Sequence, residues 1–160
     1  MTRALIGFLA IVTLVGCDML ASDGSVPMNK GIETPDSAWV VTSATEVGKS
    51  LPATASFASF KKPLTTTGRF VRVHYKVTPK KEKFVALDAP VLVDEAGHTI
   101  KPISDYPYSN GSENAIDVLP GVIRDFEPVY DVPADAKKIR AKITGKNASN
   151  PAPTLVNLKL

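Results

Sequence analysis

The residues with types suited to chemistry are few. His74 and His98 stand 24 positions apart in the chain. An imidazole is a general base and a metal ligand near neutral pH. Here no His-x-x-x-His spacing, neighbouring thiol or nearby carboxylate pattern completes a ligand set, so solvent-facing rings are expected. Asp125, Glu127 and Asp131 recur along one segment. Paired carboxylates can cleave glycosides, but no aromatic-lined cleft signal accompanies these three, and a solvated face is expected. Asp88, Asp94 and Glu95 match no EF-hand spacing and read as turn residues. There is no nucleophile elbow and no Gly-rich phosphate loop. The residues therefore point to no catalytic set, no metal and no cofactor, and the expectation is a protein that is not an enzyme.

The single cysteine, Cys17, has another use. Met1-Thr2-Arg3 supplies a positive charge, and residues 4–15 are apolar and uncharged. Twelve such residues are too few for a bilayer span, which needs about 20. They fit the apolar core of a secretory signal peptide. The run ends in Leu14-Val15-Gly16-Cys17, which resembles the lipobox of bacterial lipoproteins. That resemblance implies cleavage before Cys17, a diacylglycerol on its thiol, acylation of the new amine, and membrane lipid as a partner. Two or more acyl chains give stable anchoring where one does not. Asp18 resembles the signal that retains enterobacterial lipoproteins at the inner membrane. It favours the periplasmic face of that membrane over the outer membrane or an extracellular face.

Two further groups have binding value. Arg72, His74 and Lys76 alternate along one segment, and Lys138, Arg140 and Lys142 along another. If both segments share a sheet, they make a basic face that attracts anionic headgroups or an acidic partner; otherwise they decorate solvated surface. Tyr106, Tyr108 and Asn110 fall in a Pro- and Gly-containing loop. Tyr, Ser and Asn on a rigid scaffold suit recognition, with packing of the rings on the domain edge as the alternative.

Strands must position these groups. The chain after residue 16 carries 13 Pro and 8 Gly, spread evenly, which leaves no room for long helices. Residues 38–44 are β-branched and aromatic, with Trp39 a core candidate, and 56–60 form a weaker strand. In 69–77, Val71, Val73, Tyr75 and Val77 share one face, and Arg72, His74 and Lys76 the other. That is the pattern of a half-buried antiparallel strand. Segments 84–87 and 90–93 precede a turn at 94–97, and 98–102 returns from it. A strand from 122 to 132 is interrupted by Pro128, which argues for an edge or a bulge. Ile139, Ala141 and Ile143 alternate with the second basic set, and 154–160 adds a terminal strand. Residues 18–36 are rich in Ser, Asp, Gly and Pro and read as a tether with a root-mean-square reach of roughly 25 Å.

The expected organisation is a signal peptide at 1–16, a lipidated tether at 17–36 and one domain at 37–160. About seven to nine strands with frequent turns indicate an all-β, immunoglobulin-like antiparallel β-sandwich, with a small barrel as the alternative. Loss of Arg3 leaves 18 Lys+Arg against 16 Asp+Glu. That balance excludes a strongly basic nucleic-acid binder. One cysteine excludes a disulfide scaffold and an antibody-type Cys pair.

The order of several motifs adds to this. Trp39 to Ala44 is followed by Val47-Gly48, then Gly68 to Val73, Leu92 to Gly97, Leu119-Pro120-Gly121 and Val129 to Lys137. As an ordered set over about residues 38–144, these resemble the telokin-like, immunoglobulin-like domain of unknown function found on secreted bacterial lipoproteins. The departures are Pro79-Lys80-Lys81-Glu82-Lys83, where an Asn-rich turn is more usual, and the extension past Thr144. The resemblance implies a sandwich and transfers no catalytic residue. The expected function is a membrane-anchored binding module of the cell envelope, with an envelope or phage protein as partner. The alternatives are a structural or stress-related envelope lipoprotein without a specific ligand, and a prophage-type superinfection-exclusion lipoprotein.

Overall fold

The computed structural model describes residues 23–53, 62–80, 85–103, 115–118, 121–144 and 152–160. The described residues form twelve strands in order: β1 (Val26–Pro27), β2 (Gly31–Glu33), β3 (Ser37–Leu51), β4 (Leu64–Pro79), β5 (Val85–Asp88), β6 (Val91–Val93), β7 (Thr99–Ile100), β8 (Ala115–Val118), β9 (Arg124–Phe126), β10 (Val129–Val132), β11 (Arg140–Ile143) and β12 (Thr154–Asn157). Five of the twelve are only two or three residues long, so the count exceeds the seven to nine segments the sequence suggests. No described residue is helical.

One sheet runs β1-β12-β11-β6-β7, and a second runs β10-β4-β3-β2 with β9 also on β4. A separate ribbon pairs β5 with β8. All pairings are antiparallel except β1 with β12. The first two sheets pack face to face. Val71, Val73, Tyr75 and Val77 of β4 share one apolar cluster with Leu92, Ala141, Ile143 and Val156 of the other sheet. This is the all-β, immunoglobulin-like sandwich expected from the spacing of turns.

The register of β4 follows its period-two pattern. Val71, Val73, Tyr75 and Val77 are completely buried, whereas Arg72 and Lys76 are exposed and His74 is half-buried. Phe70 alternates with Val71 and so points to the opposite side. It is nonetheless buried, in a second cluster with Leu51 and Val129 that Val47, Leu64 and Ile103 complete. Trp39 is 3% exposed, donates its indole N–H to Ser37 Oγ at 2.8 Å, and meets the Tyr75 ring edge-on.

The break at Pro128 has a local cause. The pairs Phe126–Tyr75 and Val129–Arg72 lie on one antiparallel register. Pro128 accepts a hydrogen bond from Val73 N but has no N–H to return. The ladder therefore splits into β9 and β10 without a shift, at the edge of the second sheet.

Residues 23–36 overturn the tether reading. Val26 of β1 pairs with Val156, Ile32 of β2 pairs with Trp39, and both side chains enter the core at 9% and 5% exposure. Ser25 is fully buried, and Asp36 is 1% exposed within hydrogen bonds to Thr34 and Ser37. The described part of the domain thus begins at Asp23, and residues 23–36 belong to the sandwich. The segment is irregular because each short strand is bounded by Gly24, Pro27, Gly31 or Pro35.

Candidate functional site

The two basic segments do not form one face. Arg72, His74 and Lys76 stand on the outer side of the second sheet, through β4. Arg140 and Lys142 stand on the outer side of the first sheet, since their neighbours Ala141 and Ile143 fill the core between the sheets. The expected shared face is corrected: the two strands face the same core from opposite layers, so their charged sides point in opposite directions. Lys138 lies before β11 with φ at 49° and pairs with Glu95 at 3.1 Å.

Of the three second-sheet residues, His74 meets acids. His74 Nε2 lies 2.8 Å from Asp125 Oδ1, and its Nδ1 lies 3.8 Å from Glu127 Oε1. The carboxylates sit on opposite ring nitrogens, so they hold the ring between them and do not converge on one point with it. No grouping of three ligating side chains suited to a metal occurs among the described residues. Asp131 accepts a hydrogen bond from Thr66 Oγ1, which ties it to β4.

His98 belongs to a different feature. Asp94 begins the turn that follows β6, with Gly97 at φ 86°. Its Oδ1 accepts from His98 N and its Oδ2 lies 2.8 Å from His98 Nδ1. Burial alone would raise the Asp94 pKa, but the hydrogen bonds from the His98 ring and backbone, with the charge of His98, outweigh it and hold the carboxyl below its ordinary range. The His98 ring stays largely in solvent. Asp94, His98, Pro133, Asp135 and Lys137 line an open cleft of about 370 Å³. The turn duty expected of Asp94 is its observed role. Arg140 closes the back of this turn, donating from Nη2 to Asp94 O at 3.0 Å while Nη1 lies 3.6 Å from Asp23 Oδ2.

Cys17 and the Tyr106, Tyr108 and Asn110 loop lie outside the described residues. The flanks of that loop are in place. Ile103 donates to Val129 O and packs on the Phe70 cluster, and β8 pairs with β5.

Three features had no clear signal in the sequence. Val122 and Ile123 are exposed at 43% and 61%, between Gly121 and β9. They follow from the turn at Gly121, whose N–H bonds to Pro79 O. The phenols of Tyr75 and Tyr130 meet at 3.2 Å in the core, and Tyr130 donates to Pro90 O at 2.6 Å. Burial pushes the Tyr75 phenol far above its ordinary range, and its hydrogen bond to Tyr130 offsets only part of that. Thr34, Asp36 and Ser37 form a buried polar knot beneath Trp39. A run of Thr-Pro-Asp-Ser before a strand is the only hint the sequence offers.

No known family profile matches the chain. No curated protein matches it either. Among solved structures, it is similar to the crystal structure of the yjhA protein from Bacillus subtilis, with a TM-score of 0.58 at 12% sequence identity. The match covers 82% of this chain and 97% of that one, and it is a likeness of fold alone.

Proposed function

We propose that this chain is a membrane-anchored bacterial lipoprotein whose immunoglobulin-like domain is a binding module of the cell envelope. The observation that carries the anchor is Leu14-Val15-Gly16-Cys17 behind a twelve-residue apolar run and Arg3. In this reading Asp18 favours the periplasmic face of the inner membrane over the outer membrane or an extracellular face. Support for binding comes from the composition of the Tyr106–Asn110 segment, whose Tyr, Ser and Asn side chains suit recognition, and from the paired backbone that flanks it, with Ile103 bonded to Val129 O and β8 paired with β5.

The anchor is tested by replacing Cys17 with Ser. The parent partitions into the detergent phase and incorporates a labelled fatty acid, whereas Cys17→Ser does neither. A Ser variant that partitions and labels like the parent refutes the anchor. Crosslinking in intact membranes tests the module. Tyr106→Ala with Tyr108→Ala should weaken capture of an envelope protein by about 2 kcal/mol or more, if the rings are hot spots, with an unchanged melting temperature. A large loss of stability with undiminished capture assigns the rings to packing.

A further inference from the structure

The described part of the domain begins beside one face. Asp23, the first described residue, lies beside Arg140, and Ser25 two residues later is fully buried. Lys142 stands on the outer side of the first sheet, and Arg140 beside it is 15% exposed with its guanidinium held by Asp94 O and Asp23. Leu155 and Asn157 stand beside them on β12, opposite Lys142 and Arg140 respectively. Leu155 is half-buried and alternates with Val156 of the core. Residues 17–22 are the only link between a lipidated Cys17 and this face. Six residues span at most roughly 21 Å when extended and roughly 13 Å as a flexible coil. A two-sheet sandwich, with about 10 Å between sheets and side chains on both outer sides, is thick on that scale.

We propose that the outer face of the first sheet, centred on Arg140, Lys142 and Leu155, docks on the anionic headgroups of the membrane that holds Cys17. The inference rests on the lipoprotein reading above. The short link ends on this face and holds it, not the reverse face, near the bilayer. Charge agrees with this placement. Both outward positions of β11 are cations, and cations within a Debye length of an anionic leaflet are drawn to it. Asp23 offsets part of Arg140, which makes Lys142 the main electrostatic contact. The outer face of the second sheet, with Arg72, His74 and Lys76, is then turned away from the bilayer, toward envelope partners.

The test uses the full lipidated protein in vesicles of phosphatidylcholine with and without phosphatidylglycerol. A lipidated Cys17 has no free thiol, so an introduced cysteine takes a fluorophore alone. Leu155→Cys, with Asn157→Cys as a second variant, reports on the first sheet, and Thr45→Cys on the outer side of the second. Headgroup spin-labelled lipid should quench the Leu155 and Asn157 probes at least about twofold more than the Thr45 probe, and more so with phosphatidylglycerol. Lys142→Glu should bring the Asn157 probe down to the Thr45 level while flotation with vesicles is unchanged. A parent that does not float overturns both this inference and the anchor. Flotation with equal quenching at all sites, or with stronger quenching at Thr45, overturns the face alone. Shielding of Leu155 that depends on protein concentration and not on lipid assigns the face to a second copy, and overturns it too.

Discussion

Asp94 and Tyr130 each hold more than one partner atom through their side chains. The folded pKa of Asp94 is depressed, chiefly because the His98 hydrogen bonds outweigh its burial. Its stabilising contribution is therefore present above the ordinary aspartate value of about 3.9 and is lost as pH falls through the lowered folded value. Asp94→Asn should make the acid limb of a melting-temperature curve shallower below about pH 4 and leave the limb above pH 6 parallel to the parent. An unchanged acid limb would show that other carboxylates control it. Tyr130 is a different case, because its hydroxyl serves two partners in the core. Tyr130→Phe leaves Pro90 O and the Tyr75 phenol short of a partner, a loss of about 1–3 kcal/mol. Tyr75→Phe removes only the weaker 3.2 Å contact and should cost less, which urea denaturation of both variants measures. Neither tyrosine pairing was legible in the sequence, since residues 75 and 130 meet only through the pairing of β4 with β10.

At the scale of the element, β4 organises the second sheet, with β3 on one side and β9 and β10 on the other. Val73→Asp would place a carboxylate without a partner at a position with no exposure, costing several kcal/mol. Arg72→Asp changes an exposed side chain one residue away and should shift stability by about 0.5 kcal/mol or less. Equal losses in chemical denaturation would place the register one residue off. Gly68 sets a second limit on the same strand, because a Cβ there would overlap the carbonyl of Val132 and meet Pro133. Gly68→Ala should force β4 and β10 apart and cost about 1–3 kcal/mol, visible as a lower denaturation midpoint. The β4 face was legible because alternation over nine residues admits one register. The break at Pro128 was legible because a missing N–H has a fixed consequence. The basic face was not, because sequence shows which residues alternate on a strand but not which sheet receives the strand.

For the whole molecule, the decisive feature is the N-terminal segment, which stitches the two sheets together. β1 adds to the first sheet beside β12, the chain crosses at Asn29, whose N–H bonds to Val41 O, and β2 adds to the second sheet beside β3. The pairing of β1 with a strand some 130 positions later leaves no periodic trace in two residues, which is why the segment reads as a tether in sequence. The physical consequence is testable by truncation. A chain beginning at Asp23 keeps every described strand and should melt as a chain beginning at Cys17 does. A chain beginning at Ser37 loses the burial of Val26 and Ile32, each worth about 1.5–3 kcal/mol, and uncovers Trp39, which Ile32 faces across the β2–β3 pair. Against a total stability of about 5–15 kcal/mol, that loss should lower the melting temperature by roughly 10–20 °C or prevent folding. Trp39 is the one tryptophan in the chain, so its emission reports the change directly. It should be blue-shifted in the Asp23 form and shift to the red in the Ser37 form as water reaches the indole. If both forms melt together with the same emission, residues 23–36 contribute nothing to the core, and the domain begins at Ser37.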